Sequence, residues 1–124
     1  LNDMYRSVES MDFAMRRRFA WKEVTAADSY TAIIENNNEF TGNKAEVKQR
    51  MERLNAEIEK RFGRAYQIGA AYFLNLQNND FEALWKNHLE GLLFEYFRGE
   101  RDTQQKVDAL HAIYNNEPSD TNIG

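Results

Sequence analysis

Apolar residues recur along most of this chain with a helical period, and the clearest run is 44–62. Val47, Met51, Leu54, Ile58 and Phe62 follow one another at spacings of four, three, four and four, which is one stripe of a helix. Glu46–Arg50 and Glu57–Arg61 form i,i+4 pairs in the favourable order on the outer face. Gly63 then stands where a C-terminal cap belongs. A second helix is expected over about 66–76, "YQIGAAYFLNL". Asn79 with Glu82 three residues on reads as a capping box for a third. Phe81, Leu84, Trp85, Leu89, Leu92, Leu93 and Tyr96 make its broad apolar face, and Gly99 closes it. A fourth, about 102–115, turns Val107, Leu110 and Tyr114 inward.

The elements before residue 44 are shorter. Ser10 can cap a helix running to about Arg17, with Asp12 in the first turn where the helix dipole favours a carboxylate. "FAWKEV" (19–24) is rich in aromatic and β-branched residues and reads as a strand. A brief helix around Ser29–Glu35 ends at the Asn36–Asn38 run. "NNEPSDTNIG" is polar, carries the one proline and reads as a frayed tail. The expected fold is mainly α: a short strand–helix–strand remnant over 1–24, a helical bundle over 25–115 and a flexible tail over 116–124.

Composition agrees with long helices. With 42% hydrophobic residues the 124-residue chain can bury a modest core, and one proline with six glycines disfavours a turn-rich β fold. No cysteine is present, which excludes disulfides, thiolate metal sites and a cysteine nucleophile and fits a reducing, cytoplasmic compartment. No apolar run reaches the roughly 20 residues that span a bilayer, so no membrane role is expected. The chain opens on Leu1 rather than Met, in mid-motif, as a piece cut from a longer protein would.

Charge is uneven along the chain. Residues 1–24 hold five cations (Arg6, Arg16, Arg17, Arg18, Lys22) against Asp3, Glu9, Asp12 and Glu23, a net of +1. The total is −4, so the remainder carries −5 and is a poor nonspecific DNA binder by itself. His88 and His111 fall in separate helices with no carboxylate at metal-ligand spacing and read as surface or boundary residues. No nucleophile elbow and no His-Glu-x-x-His zinc helix occurs. Three consecutive arginines, Arg16–Arg18, are either a basic helix end favoured by the dipole or partners of something strongly anionic.

The flanking residues bear on that choice. "NDMYRSVESMDFAMRRRF" (2–19), "QIGAAYF" (67–73) and "LLFEYF" (92–97) stand in the order of three blocks of the McrB-like AAA+ family. That family comprises the GTP-driven motor subunits of modification-dependent restriction systems, and the chain resembles the C-terminal part of such a protein. The resemblance implies the end of an AAA+ core over 1–24, then a helical lid. It implies Asn2 as sensor 1, orienting the attacking water beside the γ-phosphate, and Arg6 and Gly69 near nucleotide. It implies Arg16, Arg17 and Arg18 as trans-acting fingers on the nucleotide of a neighbouring subunit, with Arg17 and Arg18 the best aligned. Arginine suits the role because its fork donates to two phosphate oxygens and stays protonated. Adjacent helical residues diverge by about 100°, so not all three can reach one phosphate.

The implied cofactor is GTP or ATP with Mg²⁺. The implied partners are neighbouring AAA+ subunits in a ring, a McrC-like nuclease subunit and DNA held through other regions of the parent protein. Two of the motifs depart from the family pattern: Tyr5 replaces an acidic residue, and Ala70-Ala71 replaces a His-Ser pair. No phosphate-binding loop and no strand ending in acidic residues for Mg²⁺ is present, so these residues alone are expected to be inactive. A MoxR- or dynein-related ATPase that remodels protein complexes, and a non-enzymatic helical interaction module, are the alternative readings.

Overall fold

A computed structural model of the protein describes residues 26–117. The expected strand–helix–strand remnant, with Asn2, Arg6 and Arg16–Arg18, and the residues from 118 onward lie outside the described residues. Among the described residues every regular element is helical.

The first is α1, Ala26–Tyr30, which widens into a π-helical turn over Thr31–Glu35. The Asn36–Asn38 run follows it, as expected. The long helix α2 spans Lys44–Phe62. Asn43 caps its start, accepting from the Glu46 amide at 3.1 Å, and Gly63 ends it at φ +103°, a conformation that L side chains rarely adopt. Val47, Met51, Leu54 and Ile58 are all buried, and Phe62 is half-buried against the same core.

The segment expected as a second helix is different. Arg64–Tyr66 and Ala70–Asn75 form 3₁₀ turns, and Gln67–Gly69 runs extended between them. Ile68 inserts into the core as a strand residue would, and its backbone finds side-chain partners described below.

The next helix is continuous but changes gauge: α3 (Phe81–Leu84), a π-helical turn (Trp85–Leu89), then α4 (Glu90–Tyr96). Phe81, Trp85, Leu89, Leu93 and Phe97 are buried at an unbroken spacing of four. In a regular α-helix that spacing drifts about 40° per step, and a wider π turn takes up part of the drift. The expected capping box is not formed. Asp80 is the N-cap, accepting from Ala83 N at 2.9 Å. Asn79 instead sits at φ +54° and accepts from the Asn43 amide at 2.8 Å, tying this loop to the start of α2. Leu92 is half-buried rather than core, and Leu93 takes the central place.

The last helix, α5 (Thr103–Tyr114), packs on α2 and α4. Two arginines of α2 close its C-terminal end. Arg53 donates to Ile113 O and Tyr114 O, both at 3.0 Å, and Arg50 donates to Asn115 Oδ1 at 2.8 Å. Arg50 also pairs with Glu46 at 2.8 Å and lies over the Phe81 and Tyr114 rings. The Glu46–Arg50 pair is therefore half-buried at a helix junction rather than on an outer face. Glu57–Arg61, at 2.9 Å, is the more peripheral of the two pairs.

Candidate functional site

Gly69 is the one expected site residue inside the described region, and it lies at the middle of a buried, non-helical segment. Its backbone is ordinary and extended, φ −81° and ψ 165°, so the glycine is not there for its conformational freedom. Ile68, Ala70, Ala71 and Phe73 around it are almost fully buried. Ala70 and Ala71, where the family carries His-Ser, are thus packed in the core and supply no polar group beyond their backbone.

Extended backbone in a core must find hydrogen-bond partners that a helix would otherwise provide. Asn55, on α2 and 4% exposed, supplies two. Its Oδ1 accepts from Ile68 N at 2.6 Å and its Nδ2 donates to Ile68 O at 2.9 Å. Ser29, on α1 and 5% exposed, accepts from Ala70 N at 3.1 Å through its Oγ. Neither residue stands out as a site residue in the sequence. A signal for Asn55 is nonetheless present: it sits four residues after Met51 and three before Ile58, a polar residue at a core-facing position of the stripe. Nothing comparable marks Ser29.

A groove of about 510 Å³ opens beside this clamp, between α1 and α2. Tyr30, Met51 and Asn55 line it, with Glu52, Glu59 and Arg64 among its charged residues. Tyr30 donates to Lys44 O at 3.1 Å. Burial pushes its phenol pKa up, and the carboxylates of Glu35 and Glu52 add to the effect.

A second, polar recess of about 430 Å³ is lined by residues including Asn75, Asn78, Asn87 and His88. His111 lies elsewhere, stacked on Trp85 with ring centres 4.6 Å apart. Its Nε2 is 2.8 Å from Glu82 Oε2 but is not aligned for a hydrogen bond. Neither histidine joins a metal-ligand set, and no cluster of three His, Cys, Asp or Glu side chains placed to hold a metal occurs among the described residues. No helix among them is long and apolar enough to cross a membrane.

A helical unit crossed by an extended, buried segment is consistent with an α-helical lid domain. Residues 46–105 match the family model described as McrB, alpha-helical lid domain. Over these residues the chain is similar to the McrB α-helical lid, in keeping with the McrB-like resemblance. The match takes in Asn55 and Gly69 and runs from the first turn of α2 to the start of α5, but it does not reach Ser29 or the arginine block. No curated protein matches the chain. No solved structure does either.

Proposed function

We propose that the chain is the sensor-1, finger and lid portion of a McrB-like AAA+ nucleotide hydrolase. The protein couples hydrolysis of GTP (or ATP) to DNA translocation and to activation of a McrC-like nuclease subunit. The observation that carries the reading is the McrB-type lid over 46–105, with the Asn2 to Arg18 pattern ahead of it in the sequence.

In this reading the lid fixes the geometry of a subunit, and Asn2 orients the attacking water. Arg17 and Arg18 reach the γ-phosphate held by the neighbouring subunit, where a guanidinium stabilises charge that develops in the transition state. Mg²⁺ and the phosphates are held by residues other than those described. The lid contributes shape rather than charge, consistent with buried Ala70 and Ala71.

Steady-state hydrolysis by the full-length protein tests this. The Arg17→Ala, Arg18→Ala double variant keeps nucleotide affinity and loses turnover by a factor on the order of 10³. Wild-type turnover of neither GTP nor ATP, or full turnover by the double variant, contradicts the proposal.

A further inference from the structure

The groove between α1 and α2 has a largely apolar interior and a charged rim. Met51 lines it, the Tyr30 ring is held in its wall by the bond to Lys44 O, and Ala26 and Ala56 border it from the two helices. Four charged residues stand around these, and three of them are engaged. Arg64 lies 3.9 Å from Glu59, and Lys48 Nζ lies 5.8 Å over the centre of the Tyr30 ring. Glu52 has no cation within ion-pair distance among the described residues.

The chain itself leads to this groove. Ala26 lines it and is the first described residue, so the residues just before it arrive at its edge. Trp21 precedes Ala26 by five residues, which keeps the two Cα atoms within about 18 Å of one another. In "FAWKEV" (19–24) Phe19 and the indole bring apolar surface that favours burial, and Lys22 follows the indole directly. The other recess offers no match, since Asn75, Asn78 and Asn87 line it with amides.

We propose that the groove between α1 and α2 is the seat of the chain's own segment 19–24, with the Trp21 ring against Met51 and Ala56 and the Lys22 ammonium beside Glu52. Arg16–Arg18 directly precede that segment. Seating it ties the basic block to the lid, so that the arginines follow the lid when it moves. The contact needs no nucleotide and is independent of the proposed hydrolase reading.

Fluorescence reads the seat directly. The chain has two tryptophans, and Trp85 is 1% exposed. Subtracting the emission of Trp21→Phe from that of wild type isolates Trp21 without disturbing the core. In the full 124-residue chain this component is expected to be blue-shifted and quenched by acrylamide several-fold less than free N-acetyltryptophanamide. Ala56→Arg is the informative substitution. Position 56 is exposed on α2, arginine is a good helix former, and its long side chain takes up the groove. Measured against the matching double variant with Trp21→Phe, the Trp21 component then shifts to the red, and its quenching rises several-fold toward the free value. Glu52→Lys raises quenching by less, and Glu52→Lys combined with Lys22→Glu restores the shielding.

Quenching of Trp21 at the free value in wild type overturns the proposal. So does an indole that stays shielded in Ala56→Arg with helix content unchanged by circular dichroism, because it then sits elsewhere. If Ala56→Arg does not fold, Glu52→Lys decides, and unchanged quenching there overturns the proposal. Shielding that is lost on dilution, with dimers seen by light scattering, assigns the groove to the segment of a second copy and overturns a seat within one chain.

Discussion

Tyr114 joins three helices with a single side chain. Its hydroxyl donates to Phe81 O at 2.7 Å, and its ring lies against Trp85 and under the Arg50 guanidinium. Burial drives its phenol pKa well above the ordinary tyrosine value; Arg50 opposes that shift and Glu82 adds to it. The folded state thus holds the proton more tightly than the unfolded chain. Its contribution is fully present below the unfolded value of about 10 and is lost as pH rises from there toward the folded value. Urea denaturation of this chain is expected to show stability falling above about pH 10, more gently in Tyr114→Phe. Parallel pH curves for the two proteins rule out this origin. At neutral pH the variant loses about 1 kcal/mol, the net worth of one buried hydrogen bond.

At the scale of elements, α2 organises the body. Its buried stripe faces the core, and its arginines close the end of α5. Leu54 is fully buried, and Leu54→Ala is expected to cost about 2–5 kcal/mol by thermal or urea unfolding. A loss below about 0.5 kcal/mol would return that stripe to the surface. This helix is legible in the sequence almost residue for residue, because a regular apolar period and Gly63 agree, while its Asn43 cap is seen only in the structure. The 66–76 stretch is not, because its apolar content suits a helix while its extended course depends on Asn55, thirteen residues away in sequence. The start of α3 differs from the expected one by a single residue. Asn79 and Asp80 are both good caps, and only the tertiary bond from Asn43 N to Asn79 decides between them. Of the expected site, Gly69 lies in a buried crossing segment, and only the structure reveals the residues that hold this segment.

At the scale of the whole molecule, charge is unevenly divided between residues 1–24 and the remainder. Many lid cations are matched by nearby carboxylates: Lys60 and Arg61 by Glu57, Arg98 by Glu95, Lys106 by Glu100. Exposed pairs of this kind add little stability, but they disfavour a basic face for DNA among the described residues. In the proposed ring, anion-handling chemistry falls to Arg16–Arg18, which act between subunits.

The most direct test mixes two full-length variants, each inactive alone: the Arg17→Ala, Arg18→Ala double variant and a variant lacking the phosphate-loop lysine of the parent protein. With fingers acting in trans, mixed rings contain interfaces where intact arginines face an intact loop, and part of the hydrolysis returns. The proposal predicts a maximum of activity at intermediate mixing ratios. A flat curve, with mixed assembly verified by size-exclusion chromatography, means that the arginines serve their own subunit or its structure, and contradicts it.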